Sequence, residues 1–555
     1  MNKKLIFILL FVIILIGGTL RLWQLGNVPP SPDWDEAAIG YDAYSLLATG
    51  HDQFGKFMPV VLRSLDDYKP ALYAYLVIPS VFAFGLNTFA VRFPSVVFGI
   101  LSIIAVFYLM RELFANYKYK DYLSLMVSLL LAISPWSIQF SRVGFESNVG
   151  TAFNILMALF FLKGLKKPWL LAVSAICASM AIYTYQSEKV FTPLLALALV
   201  VIFRNKLFSV NKKYLVTALV IGVMVMLPMV FNIVTNKSSL QRLTGTSIFA
   251  SQTELLKQDA QKLIFDNANN DTLGKIFDNR RVVYGKTIVS GYIAHFDLNW
   301  LFIQGDNPRH HAPDMGLLYL FELPLILLGI YMLLFGDFDK KTKLLVFSWM
   351  LLAPLPASIT TGVPHAVRTL NFLPIWQILS AIGLIAGYSA IKQYKASGIK
   401  YLAYFKYVLY ALFLLFMLFN FVYYLNQYFV QQNYYSSAYW QYGYKQAVAE
   451  VTTNQNKYKD VVVSNSGDFD KSYIFFLFYL KYSPQDYQKI AKDRPADIVN
   501  NSFGKYSFRP IDWKKDSLQK NVLYVGAPRD FSGKVNILKT IYNIDGTIAV
   551  EIVGT

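Results

Sequence analysis

The chain has 555 residues, 55% of them hydrophobic, 16% aromatic and only 15% charged, with a net charge of +18 and a mean hydropathy of +0.38. Soluble globular proteins carry about 25% charged residues, so the composition excludes a disordered chain, a solenoid of charged repeats and an ordinary cytosolic enzyme. A positive surplus in so apolar a chain points first to the flanks of membrane spans facing anionic lipid, and only second to nucleic acid. The single cysteine, Cys177, lies inside an apolar block, which leaves no intrachain disulfide and no multi-cysteine metal site.

Lys3 and Lys4 open an apolar run of about 16 residues that reaches Leu20 with no small-residue cleavage site, so residues 1–20 are predicted to be an uncleaved first span. Past it comes Ser31-Pro32-Asp33-Trp34-Asp35-Glu36-Ala37-Ala38. Three carboxylates within four residues at a membrane surface need solvent, cations or a reaction. The alternative is that Ser31 and Pro32 start a helix whose N-terminus Glu36 merely complements. Asp33-Trp34-Asp35 is also an Asp-x-Asp pattern able to hold a divalent cation, although the same pattern recurs at Asp337-Phe338-Asp339 and Asp468-Phe469-Asp470. Next, Asp66-Asp67-Tyr68-Lys69-Pro70 leads into the apolar block Pro70–Leu86, and Lys69 there can either snorkel or bind a lipid phosphate.

Further blocks of spanning length fall near 92–110, 122–140, 149–165, 169–186, 190–203, 214–234, 316–335, 344–360, 370–391 and 404–425. Charge decides whether 70–86 joins them. If it does not span, Arg111–Lys120, Lys163–Lys167, Arg204–Lys213, Lys340–Lys343 and Lys392–Lys400 are all cytoplasmic, each with at least three Lys or Arg, as the positive-inside bias requires. If it does span, those basic loops face outward. The prediction is a polytopic α-helical protein of the plasma membrane, with about 11 transmembrane helices and a cytoplasmic N-terminus. A transmembrane domain of 1–425 would include outer loops 21–91 and 235–315. Residues 426–555, with 16 Lys/Arg and 12 Asp/Glu, would form a soluble extracytoplasmic α/β domain. Its strands are expected at Val461–Ser464, Val522–Gly526 and Ile548–Val553, and a helix at Tyr473–Tyr482. No repeat of 20–50 residues is present.

The unusual residues gather on the outer side. Ser141-Arg142-Val143-Gly144-Phe145-Glu146 puts Arg142 and Glu146 at the mouth of the bundle, where a charge otherwise just marks a span boundary. Gly305-Asp306-Asn307-Pro308-Arg309-His310-His311 offers either metal ligands or cations for an anionic ligand, but adjacent histidines rarely aim at one ion. Pro364-His365-Ala366-Val367-Arg368 supplies a second basic pair, and arginine suits bidentate phosphate binding. Gly285-Lys286-Thr287 lacks the earlier glycine of a Walker sequence, because position 280 is Arg280. No His-Glu-x-x-His and no dinucleotide fingerprint exist either.

Trp34-Asp35-Glu36-Ala37, Lys69-Pro70, Arg92-Phe93-Pro94-Ser95 and Arg142 with Glu146, in that order, resemble the polytopic GT-C glycosyltransferases, the group of protein O-mannosyltransferases and the lipid A aminoarabinose transferase. Arg309-His310 with Gly316-Leu317-Leu318-Tyr319 and Glu322-Leu323-Pro324, and Pro354-Leu355-Pro356-Ala357-Ser358 with Pro364-His365 and Arg368, look like bacterial members; the resemblance covers roughly residues 1–390. It implies the GT-C fold and inverting transfer of a sugar from a polyprenyl phosphate to an extracytoplasmic lipid, glycan or protein. It further implies Asp35 as general base and Glu36 as supporting acid or acceptor contact. Lys69, Arg142, Glu146, Arg309, His310, His365 and Arg368 are then the substrate-binding candidates. The resemblance fixes no cofactor, since metal dependence varies within the group; a divalent metal is compatible, with Asp33 and Asp35 its candidate ligands. Glu146 stands where relatives often carry aspartate. Membrane lipids are expected partners and nucleic acid is not. The rival class is a transporter or flippase for a lipid-linked or anionic substrate, which predicts charges near the membrane midplane; Glu188 and Lys189 lie at a span end instead. A structural scaffold is a third reading.

Overall fold

The computed structural model of the chain describes residues 2–65, 67–236, 245, 247–249, 254–393, 400–492, 494, 500–533 and 535–555. Asp66 of the first loop, parts of the loop after the seventh expected span, and 394–399 of the last basic loop lie outside the described residues.

Helices follow the apolar blocks. In chain order they are α1 (Lys3–Leu22), α2 (Trp34–Thr49), α3 (Leu72–Phe84), α4 (Thr88–Leu113), α5 (Lys120–Ile133), α6 (Pro135–Ser141), α7 (Glu146–Gly164), α8 (Leu170–Ile182), α9 (Glu188–Leu207) and α10 (Lys212–Thr235). The later apolar helices are Glu322–Phe335, Lys340–Leu352, Ile375–Gln393 and Lys400–Asn426. Among the described residues six helices are long and apolar enough to cross a membrane, or seven if the α5–α6 pair, bent by 59°, counts as one span. The chain is a multi-pass membrane protein.

Every block expected to span carries helix, but not always at full length. Pro135 explains the break in the block at 122–140, since the residue before a proline is driven from helical geometry. The helix in the block at 344–360 stops at Leu352, just before Pro354. In the blocks at 169–186 and 316–335, α8 and Glu322–Phe335 have 13 and 14 residues. Such helices rise about 20 Å, short of a hydrocarbon core of about 30 Å.

The chain divides into two compact units. One comprises Met1–Ile16, Leu101–Ser137 and Gly150–Asn420. Within it, Glu322–Phe335 packs along Ile375–Gln393 at backbone contact. A Cβ at Gly329 would overlap the Leu379 carbonyl oxygen, and one at Gly383 would overlap that of Leu325. Small residues drive such close approach because lipid offers no hydrophobic incentive for helices to associate. In α10, the Tyr183 hydroxyl bonds to the backbone beside Pro228. It accepts from Met229 N at 3.1 Å and donates to Val225 O at 2.7 Å, tying α8 to α10. At the start of α9, the buried Glu188 carboxylate accepts from Asn154 Nδ2 (2.6 Å), Asn371 Nδ2 (2.8 Å) and Thr192 Oγ1 (3.4 Å).

The other unit comprises Gly17–Ile100, Ile138–Val149 and Phe421–Thr555. Its tail forms a six-stranded sheet in the order β4-β5-β3-β6-β8-β7. The strands are β3 (Asp460–Val463), β4 (Asn501–Phe503), β5 (Tyr506–Phe508), β6 (Val522–Gly526), β7 (Ile537–Tyr542) and β8 (Ile548–Gly554). β3 runs parallel to β5 and β6, and the outer pairs are antiparallel. One face of the sheet buries Val462, Val522, Tyr524, Phe531 and Val553. The three expected strands and the expected helix, at Ser472–Leu480, are all present.

The same tail grips the first loop. Gly40 of α2 lies so close to the tail that a Cβ there would stand 2.7 Å from Phe478 Cε2. Tyr41 Oη donates to Tyr482 O at 3.0 Å, and Gln488 Nε2 reaches Ser45 Oγ and Thr49 Oγ1, both at 2.9 Å.

Gly329→Ala and Gly383→Ala should each lower the melting temperature of detergent-solubilised protein, with a cost of about 1–3 kcal/mol for overpacking. Gly387→Ala, whose Cβ would meet only Leu328 Cδ2 at 3.7 Å, should leave it unchanged. Equal melting of all three variants would show that the helix pair does not depend on backbone contact.

Candidate active site

The acidic stretch of the first loop becomes the start of α2, though not where Ser31 and Pro32 suggested. Asp33 is the N-cap: its carboxylate accepts from Glu36 N at 2.8 Å while Glu36 Oε2 accepts from Asp33 N at 3.2 Å, a reciprocal capping box. Helical geometry then sends the two neighbouring carboxylates to different places. Glu36 is fully buried, and Asp35 keeps 30% of its side chain exposed.

Glu36 is densely hydrogen-bonded. Arg92 Nε donates to Oε1 at 2.8 Å, Arg92 Nη2 to Oε2 at 2.9 Å, and Gly144 N to Oε1 at 2.7 Å. The remaining Arg92 N–H groups reach Leu25 O, Pro29 O and Ser31 O at 2.7–3.1 Å, so all five guanidinium donors are filled. One ion pair thereby joins α2, α4 and the loop before α7. Gly144 packs tightly against it: a Cβ there would stand 3.2 Å from Glu36 Cγ and 3.1 Å from Val91 Cγ1. Arg92 entered the sequence reading only as part of a motif. A lone arginine at the start of an apolar block is the signal that a buried carboxylate must meet it.

Lys69 sits on β2 (Asp67–Pro70), paired antiparallel with β1 (Val61–Ser64). This hairpin aims the nearly buried Lys69 ammonium at Asp35, with which it forms a hydrogen-bonded ion pair. Asp35 and Lys69 are therefore together as a pair of opposite charges, the carboxylate partly exposed and the ammonium nearly buried. Arg142 is fully buried. Its Nη1 donates to Leu20 O (2.8 Å) and Arg21 O (3.0 Å) and its Nη2 to Val28 O (2.9 Å), closing the carbonyl end of α1. The rings of Tyr428 and Phe429 cover the guanidinium. Glu146 is nearly buried at the first position of α7.

A second pair of acids lies beside this site. Asp42 accepts from Gln53 N and Nε2, both at 3.1 Å. Asp52 Oδ1 accepts from Phe54 N and Lys56 N, both at 2.9 Å. Burial, and then the charge of Asp52, push the Asp42 carboxyl well above the usual range; burial also raises Asp52.

Arg309, His310, His365 and Arg368 belong to the other unit. There Asp306 gathers two of them. Its Oδ2 accepts from His310 Nδ1 at 3.0 Å and from Ala366 N at 2.6 Å, and the His310 and His365 rings lie 5.2 Å apart. Burial opposes the Asp306 charge, but the His310 hydrogen bond, the neighbouring histidines and the Ala366 amide hold its carboxyl down to about 2. His311 turns elsewhere, its Nδ1 lying 2.7 Å from Ala312 O and 3.0 Å from Met315 O. Arg368 Nη1 donates to Thr360 Oγ1 at 2.6 Å and Thr361 O at 2.7 Å. Asp306 with His310 and His365 is a metal-competent triad among the described residues, and Asp306 and Ala366 are 60 positions apart in sequence. Asp33 and Asp35, the candidate metal ligands of the first loop, cap α2 and pair with Lys69 respectively.

The crystal structure of ArnT from Cupriavidus metallidurans in the apo state superposes with a TM-score of 0.55 at 10% identity, covering 98% of this chain and 97% of that one. This chain has the GT-C glycosyltransferase fold. Other GT-C structures agree. ArnT from Cupriavidus metallidurans bound to undecaprenyl phosphate matches with a TM-score of 0.53 at 12% identity, covering 100% and 98%. The apo oligosaccharyltransferase of Archaeoglobus fulgidus matches with a TM-score of 0.50 at 13% identity, covering 86% of this chain and 64% of that one. The family described as dolichyl-phosphate-mannose-protein mannosyltransferase matches residues 68–231. No curated protein matches the chain in sequence.

Glu36→Gln should leave the Arg92 guanidinium buried without its counter-charge, at a cost of about 3–5 kcal/mol, and should greatly reduce the yield of monodisperse protein. The pH response of Asp42 and Asp52 has a defined sign. Their folded values lie above the unfolded ones, so their stabilising contribution is complete below about pH 4 and is lost as pH rises through the folded values. Asp52→Asn keeps both amide bonds to Oδ1 and removes the charge facing Asp42. Its melting temperature should therefore fall less between pH 5 and pH 8 than that of the wild type, measured by differential scanning fluorimetry.

Proposed function

We propose that the protein is an inverting membrane glycosyltransferase. It moves a sugar from a polyprenyl-phosphate donor to an extracytoplasmic lipid, glycan or protein acceptor, with the N-terminus in the cytoplasm and the C-terminal domain outside. The observation that carries the reading is the half-exposed Asp35 beside Lys69, on a helix start anchored by the buried Glu36–Arg92 pair. The undecaprenyl phosphate bound to the ArnT structure supports the donor class.

The chemistry needs a base and a phosphate contact. Asp35 takes the proton from the acceptor hydroxyl or amine as that atom bonds to the anomeric carbon. The bond from that carbon to the phosphate oxygen breaks with its electron pair, releasing polyprenyl phosphate. A phosphate monoester with a second pKa near 6 leaves without a general acid, but its charge needs a cation. Lys69, ion-paired with Asp35, supplies that cation and shifts toward the phosphate when donor binds. Glu36 and Arg142 act as braces, Glu36 fixing the start of α2 and Arg142 the end of α1. Arg309, His310, His365 and Arg368, in the other unit, are kept as candidate substrate contacts, the two arginines through their charge and the histidines as polar groups.

A transporter or flippase for a lipid-linked substrate is the second reading, favoured by Glu188, a buried carboxylate at the start of an apolar helix. Membranes carrying the protein should transfer label from a polyprenyl-phosphate sugar to an external acceptor. Asp35→Asn should reduce transfer by about 10²–10⁴-fold with no loss of folded protein, and Lys69→Met should also impair it. Full transfer in Asp35→Asn would remove Asp35 as base. Lipid movement without sugar transfer, abolished by Glu188→Gln, would favour the transporter.

A further inference from the structure

We propose that Asp306, His310 and His365 form a binding site for a borderline divalent transition metal, with zinc as the representative ion. One ligand atom from each residue lies within 4.8 Å of the other two. Zinc bonds of about 2.0–2.2 Å place tetrahedral ligands roughly 3.4 Å apart, so a small contraction of the side chains completes the site. The Asp306 Oδ2 and His310 Nδ1 atoms are already at 3.0 Å. Two imidazoles and one carboxylate select zinc and its neighbours over magnesium or calcium, which prefer all-oxygen shells.

A second, independent observation concerns His365. Its Nδ1 is buried and has no hydrogen-bond partner, a costly state for a ring nitrogen that a metal relieves. The neighbouring histidines are committed elsewhere. His295 Nδ1 lies 2.7 Å from Gly291 O while its Nε2 accepts from His365 N at 3.2 Å. With Nε2 accepting, the proton of His295 must sit on Nδ1, so this ring supports the His365 loop and offers that loop no ligand of its own. His311 Nδ1 is held by Ala312 O and Met315 O. The triad is also braced from outside its ligand shell. Ala366 N donates to Asp306 Oδ2, and Thr369 Oγ1 donates to His365 O at 2.8 Å. Such second contacts orient metal ligands.

Binding is a displacement. The proton in the His310–Asp306 hydrogen bond passes to solvent as metal bonds form to the three residues, with water in the fourth position. No electrons move and no co-reactant is needed.

The test uses full-length protein purified in detergent without a histidine tag, stripped with a chelator and titrated with zinc chloride alone. Bound zinc is measured by mass spectrometry after gel filtration, a readout independent of sugar transfer. The wild type should retain about one zinc per chain, as three protein ligands predict. His365→Ala and His310→Ala should each lose it, and His311→Ala should keep it. Because His365→Ala carries a risk of misfolding, His365→Cys is the companion variant: a thiolate ligand at the same place should restore binding. Wild-type protein that retains no zinc, His365→Ala that retains as much as wild type, or folded His365→Cys that retains none would each overturn the proposal.

Discussion

The Glu36–Arg92 ion pair is the constraint on which the proposed active site depends. Two charges with no solvent exposure are costly to bury, and this pair is viable because every donor of the guanidinium and both oxygens of the carboxylate have partners. A buried pair of this kind is weak evidence of extra stability. Its value is geometric. Glu36 takes its place in the capping box, against α4 and against the Gly144 amide at once. Asp35, one residue earlier, then has no freedom over where its backbone sits. The carboxylate proposed as base is positioned by its neighbour's burial, and Lys69 arrives from a separate hairpin to pair with it.

Much of this was legible in the chain itself. Apolar blocks located the helices, and the pattern of the tail located strands, expected at Val522–Gly526 and Ile548–Val553 and found at Val522–Gly526 and Ile548–Gly554. The Asp-Glu stretch and Lys69 identified the two segments that meet. Sequence could not separate the roles of Asp35 and Glu36, because adjacent residues on a helix differ in burial only through what packs against each. Nor could it assign Arg142. An arginine at a span boundary reads the same whether it meets a lipid phosphate or the carbonyls of Leu20, Arg21 and Val28. Lengths of helix were overestimated where prolines or turns interrupt an apolar run, since hydropathy does not register a break that leaves composition unchanged.

The histidine cluster illustrates a different limit. His310 and His311 are adjacent and were legible as a pair, but adjacency sends their rings to different partners. The residue that joins His310 comes from a distant loop, and only the fold reveals it. The same is true of Gly329 and Gly383, two unremarkable glycines until the helices carrying them are seen to touch at the backbone.

The grip of the tail on α2 has a consequence for biosynthesis. Ser31 meets Tyr479 across 448 positions, and Tyr41 meets Tyr482 across 441. The ribosome delivers the first loop early and its packing partner almost last. Contacts of such long range carry a large loop-closure entropy and form late in folding. Until the chain is nearly complete, α2 lacks the partners that Phe478, Tyr482 and Gln488 supply, although Val91 and Leu86 already pack at Gly40. A polypeptide arrested after its final apolar helix would carry every membrane segment and every proposed reactive side chain, yet lack the surface that holds its acidic loop in place. Completion of synthesis thus doubles as a checkpoint on the site.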